Sequence, residues 1–347
     1  MPMRRFGAML TVLLLCCAFP AHAMTVSVDY EASEAELVNP FIGNAVWAND
    51  LSETSQPFTL VYANLRWADF EREEGVFDFD SFEGENNFSF WREQGKHLIL
   101  RFVMDIPTSK KHRDIPDWLY ERTAGDGKAY STDYGKGYSP NYENPLLIEA
   151  HARAIEALGA RYDRDSFVAY VELGSLGHWG EWHVHDKAGV MPDEAIREQY
   201  VLPYVKAFSN TPLMMRRPFR AAKVYGMGLY NDTSADPDDT EEWLSWIEDG
   251  GTYDQTQEQS ALVPMANAWQ TAPIGGELAT DRKETALLAE NLEETLSLFS
   301  ASHSSWIGPR SFAKAVQRGG ELQSAYDQLS RLLGYRLRGS RVALTDG

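Results

Sequence analysis

Beyond residue 17 the chain contains no cysteine: its two, Cys16 and Cys17, both fall in the first 23 residues. Those residues read as an address. Arg4 and Arg5 form a positive stretch, residues 8–19 an apolar one, and Ala21-His22-Ala23 a small-residue cleavage site. The apolar stretch is too short to span a bilayer comfortably, and neither cysteine follows the small residue that lipid attachment favours. The expectation is export, with cleavage after Ala23 and a secreted or periplasmic product. The chain that remains has no thiol, so thiol catalysis, zinc–thiolate sites and disulfides are excluded, and its core alone must hold it. Basic residues are also scarce. Without Arg4 and Arg5, 30 basic side chains face 51 acidic ones, a net charge near −21. Such a surface repels phosphate backbones, which argues against a nucleic-acid partner. No second apolar run is long enough to cross a membrane, no Gly-rich phosphate loop follows the first strand-like run, and there is no internal repeat.

What is present is alternation. Short apolar runs read as strands at 43–48 (GNAVWA), 58–67 (FTLVYANLRW), 97–105 (HLILRFVMD), 166–174 (SFVAYVELG), 212–218 (PLMMRRP), 224–232 (VYGMGLYND), 272–277 (APIGGE) and 304–309 (SSWIGP). Amphipathic patterns predict helices over 146–162, 193–209 and 282–300, the first opened by Asn144-Pro145. Continuous apolar strands alternating with such helices indicate a parallel sheet covered by helices, and eight units predict a (β/α)8 barrel over 24–347 as a single domain. The third strand-to-helix connection, 106–144, is long and rich in Tyr, Gly, Asp and Lys, the composition of a lid or binding loop. The tail reads as a strand that ends with the chain.

In a barrel, chemistry comes from the C-terminal ends of the strands. There the sequence places Trp47, Arg66, Trp67, Asp105, Glu172, the loop 179–185, Arg216, Arg217, Asp232, Glu277 and Trp306. Carboxylates beside indoles suit glycosidic bond cleavage, in which one acid protonates the leaving oxygen and one carboxylate attacks the sugar or activates water. Glu277, after two glycines, is the candidate nucleophile or base. Glu181, between Trp179 and Trp182, is the candidate acid, since an apolar flank raises a carboxyl's pKa. Trp47, Trp179 and Trp306 are candidate stacking walls; Arg66, Asp105, His183 and Asp232 are candidate substrate ligands. Glu172, inside its strand, reads as a structural acid pairing with Arg66 or Arg101. His183 and His185 raise a metal alternative with Glu181 and Asp232, but His-x-His is absent from the first strand, so the expectation is no metal and no cofactor.

These segments also carry a resemblance. LRWADFEREEGVFDFD (65–80) and IPDWL (115–119) resemble the second-strand and third-loop segments of clan A barrel glycosidases. GHWGEWH, YND, GTY (251–253) and GGE, in that order, resemble the barrel family catalogued as domain of unknown function 4832. The resemblance implies a glycosidase-like barrel acting on an oligosaccharide or polysaccharide. Clan A enzymes end the fourth strand in Asn-Glu, the Glu being the acid/base; here that pair falls on Ser175 and Leu176, which leaves Glu181 as the proton donor. A non-catalytic carbohydrate-binding barrel and a metal-dependent hydrolase are the alternatives.

Overall fold

The computed structural model describes residues 25–31, 38–337 and 339–345. The expected leader and its cleavage site lie outside the described residues. Two compact units are present. One holds Thr25–Asp29 and Arg341–Thr345, paired antiparallel with Thr25 opposite Thr345. The other, Glu36–Arg336, is the barrel.

Eight parallel strands close the barrel in sequence order: β1 (Gly43–Trp47), β2 (Phe58–Arg66), β3 (His97–Val103), β4 (Val168–Glu172), β5 (Leu213–Met215), β6 (Gly228–Asn231), β7 (Ile274–Gly276) and β8 (Trp306–Ile307). Each lies within one of the eight runs expected from the sequence, so the (β/α)8 fold is as expected. Trp306 against Gly43 completes the ring. Side chains alternate across the barrel wall, as pleated strands require. Val46, Val61, Leu98, Leu100 and Val171 join the outer layer with the helices. Ala45, Leu60, Tyr62, Ile99, Tyr170, Met214 and Tyr230 fill the interior.

The main outer helices are α1 (Pro145–Tyr162), α2 (Glu194–Ala207), α3 (Pro237–Asp249) and α4 (Leu292–Ser302). Helix α1 starts where Asn144 accepts a hydrogen bond from the Leu146 amide, with Pro145 in the first turn. Its buried stripe, Leu147, Ala150, Ala154, Ile155, Leu158 and Tyr162, has the three- and four-residue spacing that one helical face demands. The helix expected over 282–300 is divided. A π-type turn at Ala286–Glu290 precedes α4, because Asn291 departs from helical geometry at φ −128°. The long third connection contains a short helix, Asp117–Arg122, and an antiparallel hairpin of Gly127–Thr132 and Gly135–Pro140. A second hairpin, Gly251–Tyr253 with Glu258–Leu262, follows α3. No helix among the described residues is long and apolar enough to cross a membrane.

Candidate active site

A closed polar layer caps the apolar barrel interior. Glu172 is fully buried, and its Oε2 accepts from Tyr62 Oη at 2.5 Å and from Arg101 Nε at 2.5 Å. The expected structural role of Glu172 is therefore met by Arg101, the inward-facing partner on the neighbouring strand. Arg66 is engaged elsewhere, with Nε 3.1 Å from both Asp69 and Asp114.

Above this layer the chain leaves β4 and folds into a compact loop. Gly177 (φ 81°) and Gly180 (φ 77°) take conformations that a side chain strains, and a Cβ on Gly180 would stand 2.4 Å from the Gly174 carbonyl oxygen. Trp179 (φ 53°) and Trp182 (φ 60°) are held in the same region at a cost of about 1–3 kcal/mol each. Hydrogen bonds hold them there. The Trp179 amide donates to the Asp105 carbonyl (2.7 Å), Trp182 Nε1 to the Leu173 carbonyl (2.8 Å), Tyr253 Oη to the Trp182 carbonyl (2.5 Å), and Tyr230 Oη to the Gly180 carbonyl (3.2 Å). Trp182 is thus a buried peg against Phe219, while Trp179 stays partly exposed beside Glu181.

The loop delivers Glu181 to a cluster of charges. Arg101 Nη1 lies 3.4 Å from its carboxyl, and its acidic neighbour is Asp232, which extends from the end of β6. Arg216, from the end of β5, pairs with Asp232. Burial raises the Glu181 pKa well above the carboxylate range. The neighbouring Asp232 and Glu277 charges reinforce that shift, and Arg101 opposes it incompletely. Asp232 moves the other way: burial would raise it, but Arg216 outweighs burial and keeps it ionised below the usual range. The pair therefore shares one proton, held on Glu181.

Glu277 stands just past β7, its amide donating to the Asn231 carbonyl at 2.8 Å. Its side chain is 13% exposed, with Oε1 3.6 Å from Arg310 Nε. Burial pushes its pKa up to about 7 against the pull of Arg101 and Arg310, with Asp232 adding to the rise. His183, partly exposed nearby, is pushed down to about 4, first by burial and then by Arg217, Arg216 and His178, despite the opposing Asp232. It is neutral at pH 7 and can donate or accept a hydrogen bond. Tyr134, at the tip of the third-connection hairpin, sets its ring 5.3–6.0 Å from those of His178, Trp179, His183 and His185. The long connection thus covers the loop.

Glu181, Asp232, Glu277, His183 and Trp179 are brought together. Trp47 sits at the end of β1, half-buried and edge-on to Tyr62 at 5.5 Å. Two expectations need correcting. Trp306 is not a wall of the mouth: it is 1% exposed and stacks on Tyr170 inside the barrel, with ring planes 16° apart. It opens β8 opposite Gly43, the first residue of β1, so it lies at the start of its strand and faces the barrel interior, not the C-terminal mouth. Asp105 is not available to a ligand either. It is fully buried, with one oxygen accepting from Tyr130 Oη and the other 2.9 Å from His178 Nδ1, and it supports the loop from beneath. Ser175 and Leu176, the two residues on which the resemblance to clan A glycosidases sets the acid/base pair, are buried. Ser175 Oγ contacts His151 Nε2 (2.7 Å) and Tyr204 Oη (2.6 Å), and burial pushes His151 down to about 3.

Among the described residues, no three His, Cys, Asp or Glu side chains gather as a metal-ligand set. His185 turns away from the carboxylates toward Asp133 (3.0 Å) and Asp186 (2.6 Å). Sequence reasoning missed Tyr134 and Arg310. The second had a signal, since Arg310 directly follows the Gly308-Pro309 end of the eighth run.

No family model matches the chain, and no curated protein matches it. Among solved structures, endo-glycoceramidase II from Rhodococcus sp. in complex with a five-membered iminocyclitol is 11% identical, covering 83% of this chain and 78% of that one, with a TM-score of 0.46. A second, described as a glycoside hydrolase, is 12% identical over 85% of this chain and 99% of that one, with a TM-score of 0.47. A third, CbXyn10B in its native form, is 14% identical over 78% of this chain and 71% of that one, at 0.36. What this barrel does is decided by its own side chains.

Proposed function

We propose that this barrel hydrolyses a glycosidic bond in an oligosaccharide or polysaccharide. Glu181 serves as general acid, and Glu277 as nucleophile or base. One observation carries the reading. Two partly exposed carboxyls at one mouth have been set to different protonation tendencies: Glu181 keeps its proton against an ionised Asp232, and Glu277 titrates near neutrality. That division of acid from base is what glycoside cleavage requires. Asp232, anchored by Arg216, keeps the proton on Glu181. Trp179 and Trp47 offer faces for sugar rings, and His183 is a hydroxyl ligand. Export through the N-terminal leader would bring the barrel to extracellular or periplasmic polysaccharide.

The test is a screen of chromogenic glycosides and bacterial exopolysaccharides with the parent protein, Glu181→Gln and Glu277→Gln. The expected result is turnover by the parent, reduced about a hundredfold or more in either variant with folding retained. Full turnover in either variant would reject the assignment. Product stereochemistry then separates retention from inversion, which require carboxyl separations of about 5–5.5 Å and about 6.5–9.5 Å.

A second reading is a non-catalytic carbohydrate-binding barrel, favoured by the buried Ser175 and Leu176, on which the resemblance to clan A glycosidases sets the acid/base pair. Oligosaccharide binding by calorimetry with no product released from any substrate would select it.

A further inference from the structure

The barrel face opposite the carboxylates carries a hollow of about 940 Å³, a size that small-molecule sites have. Its place follows from its lining. Ile42 precedes β1, Val168 opens β4, Pro212 precedes β5, Pro273 precedes β7 and Ser305 precedes β8. All five mark the N-terminal ends of strands, whereas Glu181 and Glu277 stand past the C-terminal ends. Tyr170 also lines the hollow, and it stacks on Trp306 within the apolar layer that fills the barrel. The hollow is thus separate from the mouth.

The N-terminal face of such a barrel ordinarily serves stability, which calls for closed packing. Here rings are left open. Phe41, Trp269 and Tyr335 line the hollow, and each is more than a third exposed. They come from three separate segments, so this is one shared concave surface and not a single projecting loop. Two of the three are held in place. The Phe41 carbonyl accepts from Tyr170 Oη at 2.9 Å, and Trp269 lies flat on His303, with ring centroids 4.1 Å and planes 14° apart. Rings that are fixed and yet exposed form a surface ready for stacking.

The polar groups of the hollow divide into engaged and free. Asp163 accepts from the Asn210 and Thr211 amides at 2.8 and 3.1 Å, and Asp165 accepts from Arg92 Nη1 at 2.7 Å. Arg164, between those two acids in sequence, lines the hollow and is exposed. It has no ion pair or hydrogen bond with any described residue, and neither has the indole N–H of Trp269. What the hollow has left to offer is therefore flat apolar surface and hydrogen-bond donors, one of them a cation. A sugar ring calls for acceptors as well, and both carboxylates here are taken. A carboxylate is acceptor-only and matches the free guanidinium.

We infer that this hollow binds a planar aromatic molecule bearing one carboxylate, with its ring system on Trp269 and its charge at Arg164. The inference is independent of the carbohydrate reading of the mouth.

The test titrates the full chain with 2-naphthoate by calorimetry, and one site is expected. Trp269→Ala should weaken binding about tenfold, the scale of a ring-stacking contact. Arg164→Gln should weaken it about threefold, the scale of an exposed ion pair. Both side chains are exposed, so the melting temperatures should stay parental. Neutral 2-naphthylmethanol should bind the parent about threefold more weakly than 2-naphthoate, and Arg164→Gln should erase that difference. Octanoate, with the same charge and no ring, should bind more weakly than 2-naphthoate. Glu181→Gln should bind 2-naphthoate as the parent does. The inference is overturned by the absence of 2-naphthoate binding, or by parental affinity in either hollow variant. Octanoate binding as tightly as 2-naphthoate would overturn the aromatic class, and loss of binding in Glu181→Gln would move the site to the mouth.

Discussion

Glu172 and Glu181 lie close together along one strand and its loop, and both reach the same arginine. Arg101 meets Glu172 at 2.5 Å and Glu181 at 3.4 Å. Glu172 has Tyr62 as a second donor and no contact with solvent. Glu181 has a competing anion in Asp232 and an opening to the mouth. The difference is one of access. An acid enclosed in the barrel, with an arginine and a tyrosine on one oxygen and no partner among the described residues on the other, becomes structure. A carboxyl that receives the remainder of that arginine's charge, beside a second acid, keeps a proton it can give away. Backbone strain follows the same division: β4 is regular strand, whereas the loop holds two tryptophans at positive φ.

The shared arginine is where the two acids separate most sharply. Arg101→Met would leave Glu172 buried without its cation, and the expected loss is about 3–5 kcal/mol of stability in denaturant unfolding. A loss below about 1 kcal/mol, the scale of one hydrogen bond, would mean that Tyr62 alone suffices for Glu172.

The next effect is pH dependence. Glu277 has a folded pKa near 7, above its ordinary value of 4.5. The folded state therefore binds the Glu277 proton more tightly than the unfolded chain does. Stability from this group is fully present below about pH 4.5 and is lost as pH rises through 7. The difference amounts to about 3 kcal/mol. Unfolding of the parent against Glu277→Gln at about pH 4.5 and about pH 8 measures it, and equal pH dependence in the two proteins would count against the burial argument.

Activity separates the two acids next. Glu181→Gln is expected to cost about a hundredfold in turnover, about 2.7 kcal/mol of barrier, while leaving the melting temperature almost unchanged. Glu172→Gln should show the opposite pattern, with stability lost first. The parent's rate should rise with pH through about 7, as Glu277 ionises, until Glu181 gives up its proton. A rate that falls across pH 7 would exchange the two roles.

Gly180→Ala should have the smallest effect, about 1–2 kcal/mol, because a Cβ at φ 77° meets the unyielding Gly174 carbonyl. Its value is in location: turnover that falls in a variant still fully folded at the assay temperature would show that loop geometry, more than loop stability, positions Glu181.

Much of this was legible in the chain. The eight apolar runs and helix α1 carried their own periodicity and caps. Glu181, Asp232 and Glu277 could be placed at strand ends because glycines and aromatics punctuate those ends. Side-chain direction could not be read in the same way. Trp306 looks like a mouth residue by order along the chain, but it opens its strand opposite the first residue of β1 and turns into the barrel. Asp105 looks like a ligand until His178 and Tyr130 close over it. Tyr134 is separated from Trp179 by the whole of helix α1 and strand β4, and only the fold of the hairpin brings the two rings within 5.6 Å.

Composition and local periods of two and 3.6 residues were enough to set the barrel, the supply of carboxylates and indoles at its C-terminal face, and the exclusion of thiol chemistry beyond residue 17. A linear chain displays such patterns directly. Tertiary structure decided which acid is enclosed and which opens to the mouth beside a second acid. That outcome depends on the distances from Arg101 to Glu172 and Glu181, and from Arg216 to Asp232. Coulomb interactions in a desolvated mouth change steeply over an ångström, and no local pattern encodes such distances across strands far apart in sequence.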